Sequence, residues 1–480
     1  MEGTLFSFFN KDNVTLMRDK VFTLLEDQGV ILDQHDEMFE RLSDAGVNVD
    51  KATGMVRFPR PVMERFIDQT PKRFLLGARN TKKALPLPRP DGTFYARTNT
   101  GAHGWIEPET NDYRKVTTTD LANWGHLANE LDEINFIPYL FCHDVPVQTA
   151  DIHALSTLLK HTDKHIWVQP YSEASVEYLI KLGAVIAGGV ENLKDNPVIS
   201  MIACSLTPRT FKHMDIEIIF QTSKQHIPVQ ACSLPGAGAT APVTLPGVIL
   251  LATAEILAIL AMAQATRPET PVVACPIIFS TDMRTGMNLQ ASVESLKAAS
   301  GAVQFIKQAF GLPTHNYGLG SDTPNIGIQS MSERSMLSML MGLSGSDILG
   351  GAGQLEVATA VSPIQLILDN ELLCMVRSIS GGLNFDDENL AWEVILKTKP
   401  GDQFLTSDHT LQHCRDAHMP QNFMRFSRDN WENQRPKSIV ERALENYHHI
   451  MGKDNESLAS REVSAELDKI VTAADEKVTT

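Results

Sequence analysis

From Asn99 to Ser380 the sequence keeps switching hydrophobic period. Short apolar runs alternate with longer segments whose apolar residues recur every three or four positions. The short runs are Asn99–Trp105, Ile134–Phe141, His165–Tyr171, Pro197–Cys204, Ile227–Cys232, Pro271–Phe279, Leu312–Tyr317 and Asp347–Gly351. The helical segments between them are Asp120–Glu130, Asp151–Lys160, Ser172–Ala187, Phe211–Thr222, Val248–Ala265, Leu289–Phe310 and Ile326–Leu343, and Pro363–Ser380 follows the last run. Strands separated by helical crossovers pair in parallel, and eight such units close a ring. The expected fold is α/β, a (β/α)8 TIM barrel over residues 99–382.

Residues 1–98 read as an N-terminal segment of helices and one β-hairpin. Asn10–Glu26, His35–Ala45 and Pro61–Asp68 have helical spacing. Phe74–Ala78 and Thr93–Arg97 are β-like, with Pro90-Asp91-Gly92 as a turn between them. Residues 383–480 read as a helical, increasingly charged C-terminal extension.

A chain of 480 residues with 43% hydrophobic and 21% charged residues can bury a large core. Its net charge of −16 and lack of a basic cluster argue against a nucleic acid or an anionic membrane as partner. The first 20 residues lack the basic-then-apolar order of a signal peptide. The longest apolar stretch, Val248–Ala265, is interrupted by Glu255 and Gln264 and reads as a buried helix. Six scattered cysteines without a C-x-x-C pair indicate reduced thiols in a cytoplasmic protein.

In a parallel barrel the chemistry sits just beyond the strand ends. Those positions here hold Trp105, Tyr139, His143, Trp167, Tyr171, Phe279, His315, Tyr317, Asp322, Gln354 and Glu356. Trp105, Tyr139, Trp167, Tyr171 and Tyr317 are drawn from only five tryptophans and seven tyrosines in the chain. Aromatic faces hold a quaternary ammonium, which has no hydrogen to donate. The competing reading is that bulky side chains simply fill the barrel. Histidines are numerous, but His161–His165 and His409–His413 lack the glutamate of H-E-x-x-H, and no metal is expected. Gly236 and Gly238 fit a loose G-x-G-x-x-A pattern, yet Pro242 follows and the next helix starts too late for a dinucleotide fold. With Gly318, Gly320 and Gly351 they read as loops that let a large planar cofactor approach the backbone.

Several stretches together resemble the trimethylamine methyltransferase family of corrinoid-dependent enzymes. They are Leu24–Val30, Asp44–Val47, Arg57–Arg60, Thr70–Phe74, Ala78–Asn80, Gly350–Glu356, Ser362-Pro363, Asp369–Glu371, Gly401, Phe404-Leu405, His409-Thr410 and Arg415. The family's archaeal trimethylamine enzymes carry pyrrolysine near the end of a late strand. This chain has only standard residues across Gly318–Thr323, where that position is expected, so it resembles the branch without pyrrolysine, which includes glycine betaine demethylases. The resemblance implies methyl transfer from a quaternary amine to the cobalt of cobalamin (a corrinoid) carried by a cognate corrinoid protein, with no tightly bound cofactor, and a homo-oligomer. Under it Glu356 and Asp322 become catalytic candidates, and the aromatic and polar strand-end residues become substrate contacts. Proline betaine or carnitine as substrate, a zinc-dependent methyltransferase on the same barrel, and a non-enzymatic betaine-binding module are the alternatives.

Overall fold

The computed structural model describes residues 6–453 and 457–478; the expectations for residues 1–5, 454–456 and 479–480 lie outside them. Eight parallel strands form the centre: β1 (Tyr95–Thr98), β2 (Phe136–Pro138), β3 (His165–Val168), β4 (Ile199–Cys204), β5 (Val229–Ser233), β6 (Val272–Pro276), β7 (His315–Tyr317) and β8 (Ile348–Ala352). Their order is β6-β5-β4-β3-β2-β1-β8-β7. A parallel bridge between Ala274 and Thr314 joins β6 to β7, with Ala274 N–H donating to the Pro313 carbonyl at 2.9 Å, and this closes the ring.

The crossover helices are α1 (Thr118–Glu130), α2 (Ala150–His161), α3 (Glu173–Ala187), α4 (His213–Lys224), α5 (Leu245–Thr266), α6 (Val293–Phe310), α7 (Ile328–Leu343) and α8 (Pro363–Ser380). Their starts follow local chemistry. Thr117 and Ser172 close capping boxes on α1 and α3, and Pro363 occupies the first turn of α8 behind the Ser362 cap.

Two expectations are corrected. The first barrel strand is Tyr95–Thr98, not Asn99–Trp105. Gly104–Ile106 belongs instead to a small sheet with Tyr113–Lys115, Gln354–Leu355 and Ala360–Val361 over the barrel mouth. The hairpin partner of Phe74–Leu76 is Leu85–Leu87, with Phe74 opposite Leu87. Pro86 and Pro88 hide that strand in the sequence, but a two-stranded ribbon has edges that tolerate proline. Leu76, Leu85 and Leu87 pack with Tyr95, Phe136, Val273 and Ile348, so the hairpin plugs the barrel where the strands begin. The first 75 residues also contain a ribbon of Val30–Leu32, Asn48–Asp50 and Met55–Arg57 that joins Thr210–Phe211.

Helix α5 is buried almost all round, and it is the one described helix long and apolar enough to cross a membrane. Here protein consumes that surface: α4 and α6 flank it, and the N-terminal helices Lys11–Thr23, Asp36–Asp44 and Arg60–Gln69 pack against it. The extension behaves differently. Leu383, Phe385, Trp392, Leu396, Leu405 and Leu411 are all exposed along residues 383–435.

The loops after β7 and β8 are tied by a fully buried ion pair. Arg334 Nη1 of α7 donates to Asp369 Oδ2 of α8 at 2.8 Å and to the Leu319 carbonyl at 2.8 Å. Asp369 also accepts from Gly353 N–H (2.7 Å) and Gln365 Nε2 (2.9 Å). Burial pushes its carboxyl up, and the Arg334 guanidinium beside it pulls it back down. Removing one partner leaves an unpaired buried charge. Asp369→Asn is therefore expected to lose about 3–5 kcal/mol of stability in urea unfolding. Arg334→Met with Asp369→Leu should recover much of that loss; simple additivity of the single losses would contradict a coupled pair.

Candidate active site

The barrel axis holds a cation. Arg97, in the middle of β1, is fully buried, yet none of the described carboxylates pairs with it. Its Nε–H donates to His315 Nε2 on β7 at 2.7 Å, and Nη1 donates to the Thr98 carbonyl at 2.8 Å. Cζ lies 4.1 Å above the Trp167 ring centre and 5.2 Å from that of Tyr317. Nη2 has no hydrogen-bond partner.

A guanidinium can only donate, so His315 Nε2 accepts and the imidazole proton sits on Nδ1. Nδ1 faces Gln230 Oε1 of β5 at 3.1 Å. Gln230 Nε2 donates to Ser200 Oγ of β4 at 3.3 Å. His165 of β3 gives its Nδ1 proton to the Gly77 carbonyl at 2.7 Å, so its Nε2 accepts from Ser200 Oγ at 2.9 Å. One directed chain of hydrogen bonds thus crosses the interior from Arg97 to the plugging hairpin. Burial and the neighbouring guanidinium hold His315 well below the usual histidine range, and burial pushes His165 down to about 4. Burial raises the thiols of Cys232 and Cys275. Among these side chains Arg97 alone is charged at pH 7.

This geometry redraws the expected aromatic cage. The faces of Trp167 and Tyr317 nearest the axis are taken by Arg97, not left free for an ammonium. Trp105 lies outside the axis, edge-on to Trp124 of α1 with ring centres 6.1 Å apart. Tyr139 is fully buried, and its hydroxyl donates to the Gln169 carbonyl. Its ring meets Tyr171 edge-on at 5.8 Å, and Tyr171 meets Phe141 at 5.4 Å. Exposed His103 and His143 stand beside Phe141, each 5.0 Å away, so these rings form a rim over β2 and β3. Burial, followed by Lys115 and His103, lowers the His143 imidazole. Phe279 is half-buried on the loop after β6, across the mouth.

The polar candidates fall on the loops after β6, β7 and β8. Gln354 Nε2 donates to Gln290 Oε1 (2.7 Å) and to the Leu319 carbonyl (3.2 Å), leaving Gln354 Oε1 and Gln290 Nε2 unpartnered. Asp322 accepts the backbone N–H groups of Gln290 (2.7 Å) and Ala291, which joins the loops after β6 and β7; burial raises its carboxyl. Glu356 is exposed at φ 51° and begins a left-handed turn with Val357 and Ala358. A Cβ on Gly318, Gly320 or Gly351 would strike Leu349, Gln290, or Gln354 and Tyr317, so the chain's own side chains fill that space. Gly236 starts a short strand parallel to Phe279–Thr281, and Gly238 has φ +93°. No group of three or more histidine, cysteine, aspartate or glutamate side chains able to hold a metal occurs among the described residues.

Sequence reasoning missed Arg97, Gln230 and Gln290. The available signal was a lone arginine inside the apolar run Phe94-Tyr95-Ala96-Arg97.

A closed parallel barrel with polar groups gathered at its strand ends is the architecture of an enzyme. The model of the trimethylamine methyltransferase (MTTB) family matches residues 3–478, and the chain belongs to that family. It is 26% identical to the trimethylamine methyltransferase MttB of Desulfitobacterium hafniense strain DSM 10664 / DCB-2 over 481 residues, which cover 99% of this chain and 96% of that protein. It is 25% identical to the glycine betaine methyltransferase of Desulfitobacterium hafniense strain Y51 over 477 residues, covering 98% of each. The crystal structure of the Methanosarcina barkeri monomethylamine methyltransferase MtmB superposes with a TM-score of 0.49 at 13% identity, covering 92% of each chain.

Trp167 carries a desolvated guanidinium on its face, a contact worth about 2 kcal/mol or more. Trp167→Leu is expected to cost that in addition to the lost packing. In an Arg97→Met background the same change should cost about 1–2 kcal/mol less in urea unfolding. Equal costs in both backgrounds would mean the ring merely fills the barrel.

Proposed function

We propose that this methyltransferase demethylates a quaternary amine, with glycine betaine the first choice, and passes the methyl group to a corrinoid carried by a separate protein. The observation that carries this reading is the end-to-end relationship to the methyltransferase family, including a glycine betaine enzyme matched over 98% of each chain. The corrinoid's Co(I) would supply the nucleophile. The carbon–nitrogen bond of one methyl group breaks, and its electron pair stays on nitrogen. The leaving group is then a neutral tertiary amine, so no acid is required to protonate it.

The mouth of the barrel fits a large apolar visitor. Leu206, Leu234, Val243, Met283 and Met287 are exposed on the loops after β4, β5 and β6, and Ile328 is exposed at the start of α7. Around the opening, half-buried Tyr171, Phe141 and Phe279 can line a water-poor space for N-methyl groups, and Gln354 and His143 offer polar contacts. Glu356 and Asp322 balance the ammonium at longer range. Nitrogen loses its positive charge as it keeps the bonding pair, a loss that a dry ring-lined site tolerates better than a polar one. We place the reaction in the cytoplasm, in keeping with six free cysteines, three of them buried.

The exposed apolar residues of 383–435 support self-association, since a second copy would take apolar side chains out of water. Light scattering at micromolar protein should then show a multiple of the monomer mass; a monomer would refute it.

Mixing the protein with reduced free cobalamin and a panel of quaternary amines tests the reaction. Glycine betaine is expected to drive the spectral change of cobalamin methylation. Dimethylglycine, which lacks the fixed charge, should be turned over at least tenfold more slowly at neutral pH. Equal turnover of the two would remove the argument from the leaving group. Activity dependent on stoichiometric zinc would favour the zinc-type alternative.

A further inference from the structure

We infer that Arg97 is a binding site for a carboxylate, and that it sets which quaternary amines this barrel accepts. The inference rests on the proposed amine chemistry for the identity of the ligand, but on the structure for the site.

A guanidinium taken out of water without a counter-ion costs several kcal/mol. Elsewhere such charges are met: Arg334 is buried against Asp369, half-buried Lys307 pairs with Asp347 at 2.7 Å, and buried Lys164 donates to the carbonyls of Ala128, Leu131 and Ile134. Among the described buried cations Arg97 differs in lacking both a carboxylate and a full set of acceptors; around it stand the neutral His315 imidazole, protonated thiols and the rings of Trp167 and Tyr317. Two of its three nitrogens are engaged, and these fix its plane. The third, Nη2, is buried and has no partner within 3.5 Å, although the nearby Tyr317 side chain also stabilises the charge. Gly350 of β8 lies alongside: a Cβ there would come within 2.7 Å of Nη2 and 2.6 Å of Cζ. The missing side chain lets the β8 backbone lie directly on the guanidinium. Further unpartnered polar atoms lie on the adjoining strand ends and loops. Trp167 Nε1 and Gln290 Nε2 are donors, and Asn99 Oδ1 is an acceptor. Such a set has the composition of a polar-ligand site, not of a finished core.

A carboxylate meets this arrangement best. It is planar, brings the absent negative charge, and accepts the paired donors that a guanidinium presents. The orientation of a zwitterion follows. Its carboxylate goes inward to Arg97, and like-charge repulsion sends its ammonium outward to the mouth. The methyl groups then face the side from which an acceptor can approach. An amine without an acid group, such as choline, gains nothing from the buried cation and is repelled by it.

Two neutral mimics separate the carboxylate from the ammonium. 3,3-Dimethylbutyrate has the shape of glycine betaine with carbon in place of nitrogen, and 3,3-dimethyl-1-butanol lacks the acid as well. In calorimetry the wild-type protein should bind the butyrate at least tenfold more tightly than the butanol. Arg97→Lys should weaken the butyrate at least tenfold, and Arg97→Met should abolish the preference, with folding of each variant checked by circular dichroism. In turnover, wild type should prefer glycine betaine to choline by at least a hundredfold in kcat/KM, a ratio that should fall toward one in the variants. Equal binding of the two mimics by wild type would overturn the inference, as would a folded Arg97→Met that keeps the preference. Should the variants not fold, a crystal structure of wild type with the butyrate decides: its carboxylate belongs within hydrogen-bond distance of Nη2, and any other seat refutes the proposal. Demethylation of choline as fast as betaine would sink this inference and leave the amine reaction standing. Arg97-dependent butyrate binding with no amine turned over would do the reverse.

Discussion

A hydrogen bond in this barrel has a direction, and five in series keep the same one. They run from the Arg97 guanidinium through His315, Gln230, Ser200 and His165 to the Gly77 carbonyl. The first donor cannot change role, so each later proton is placed by the one before it. Aligned bonds polarise one another and spread part of the guanidinium charge toward the plugging hairpin. Strands β1, β7, β5, β4 and β3 each supply one member, so the chain also fixes how they face each other across the axis. It uses Nε of Arg97 and leaves Nη2 over.

The carboxylates follow an opposite rule. The deeply buried ones lie behind the strands, and each is saturated with donors. Glu255 of α5 accepts from the hydroxyls of Ser205, Thr207 and Ser233 and from Arg209 N–H. Asp151 of α2 accepts from Ser175 Oγ and from Tyr171 N–H. Asp369 has three donors of its own. These groups pin the loops that follow β3, β4, β5, β7 and β8, so the strand ends are held in place from outside the ring. Among the described carboxylates none pairs with Arg97 at the axis. The result is a rigid rim around an axial cation with no carboxylate partner among the described residues.

Much of the fold was legible from periodicity, because seven of eight strands are apolar runs between helices whose caps are local. The first strand was not, and the reason is the same residue that organises the site. A β-like run that follows a Pro90-Asp91-Gly92 turn and contains an arginine resembles a hairpin strand, and Thr93–Arg97 overlaps the barrel strand Tyr95–Thr98. The aromatic strand ends were legible as a group. Their roles were not, since no sequence pattern tells that Trp167 and Tyr317 face a cation belonging to the protein itself. Glycines misled in a related way. Gly318, Gly320 and Gly351 do permit close approach, but of Leu349, Gln290, Gln354 and Tyr317 from the same chain.

The close fit between Gly350 and Arg97 constrains how such a barrel can change over generations. A side chain at position 350 collides with the guanidinium, whereas a shorter residue at position 97 collides with nothing. The two substitutions are therefore not interchangeable in time: the arginine must shrink before the glycine can grow. Descendants that lost the interior cation would drift at 350, and once a side chain settled there the path back would be closed. Across related barrels, a glycine at this place marks a lineage that still keeps its arginine or could regain it in one step.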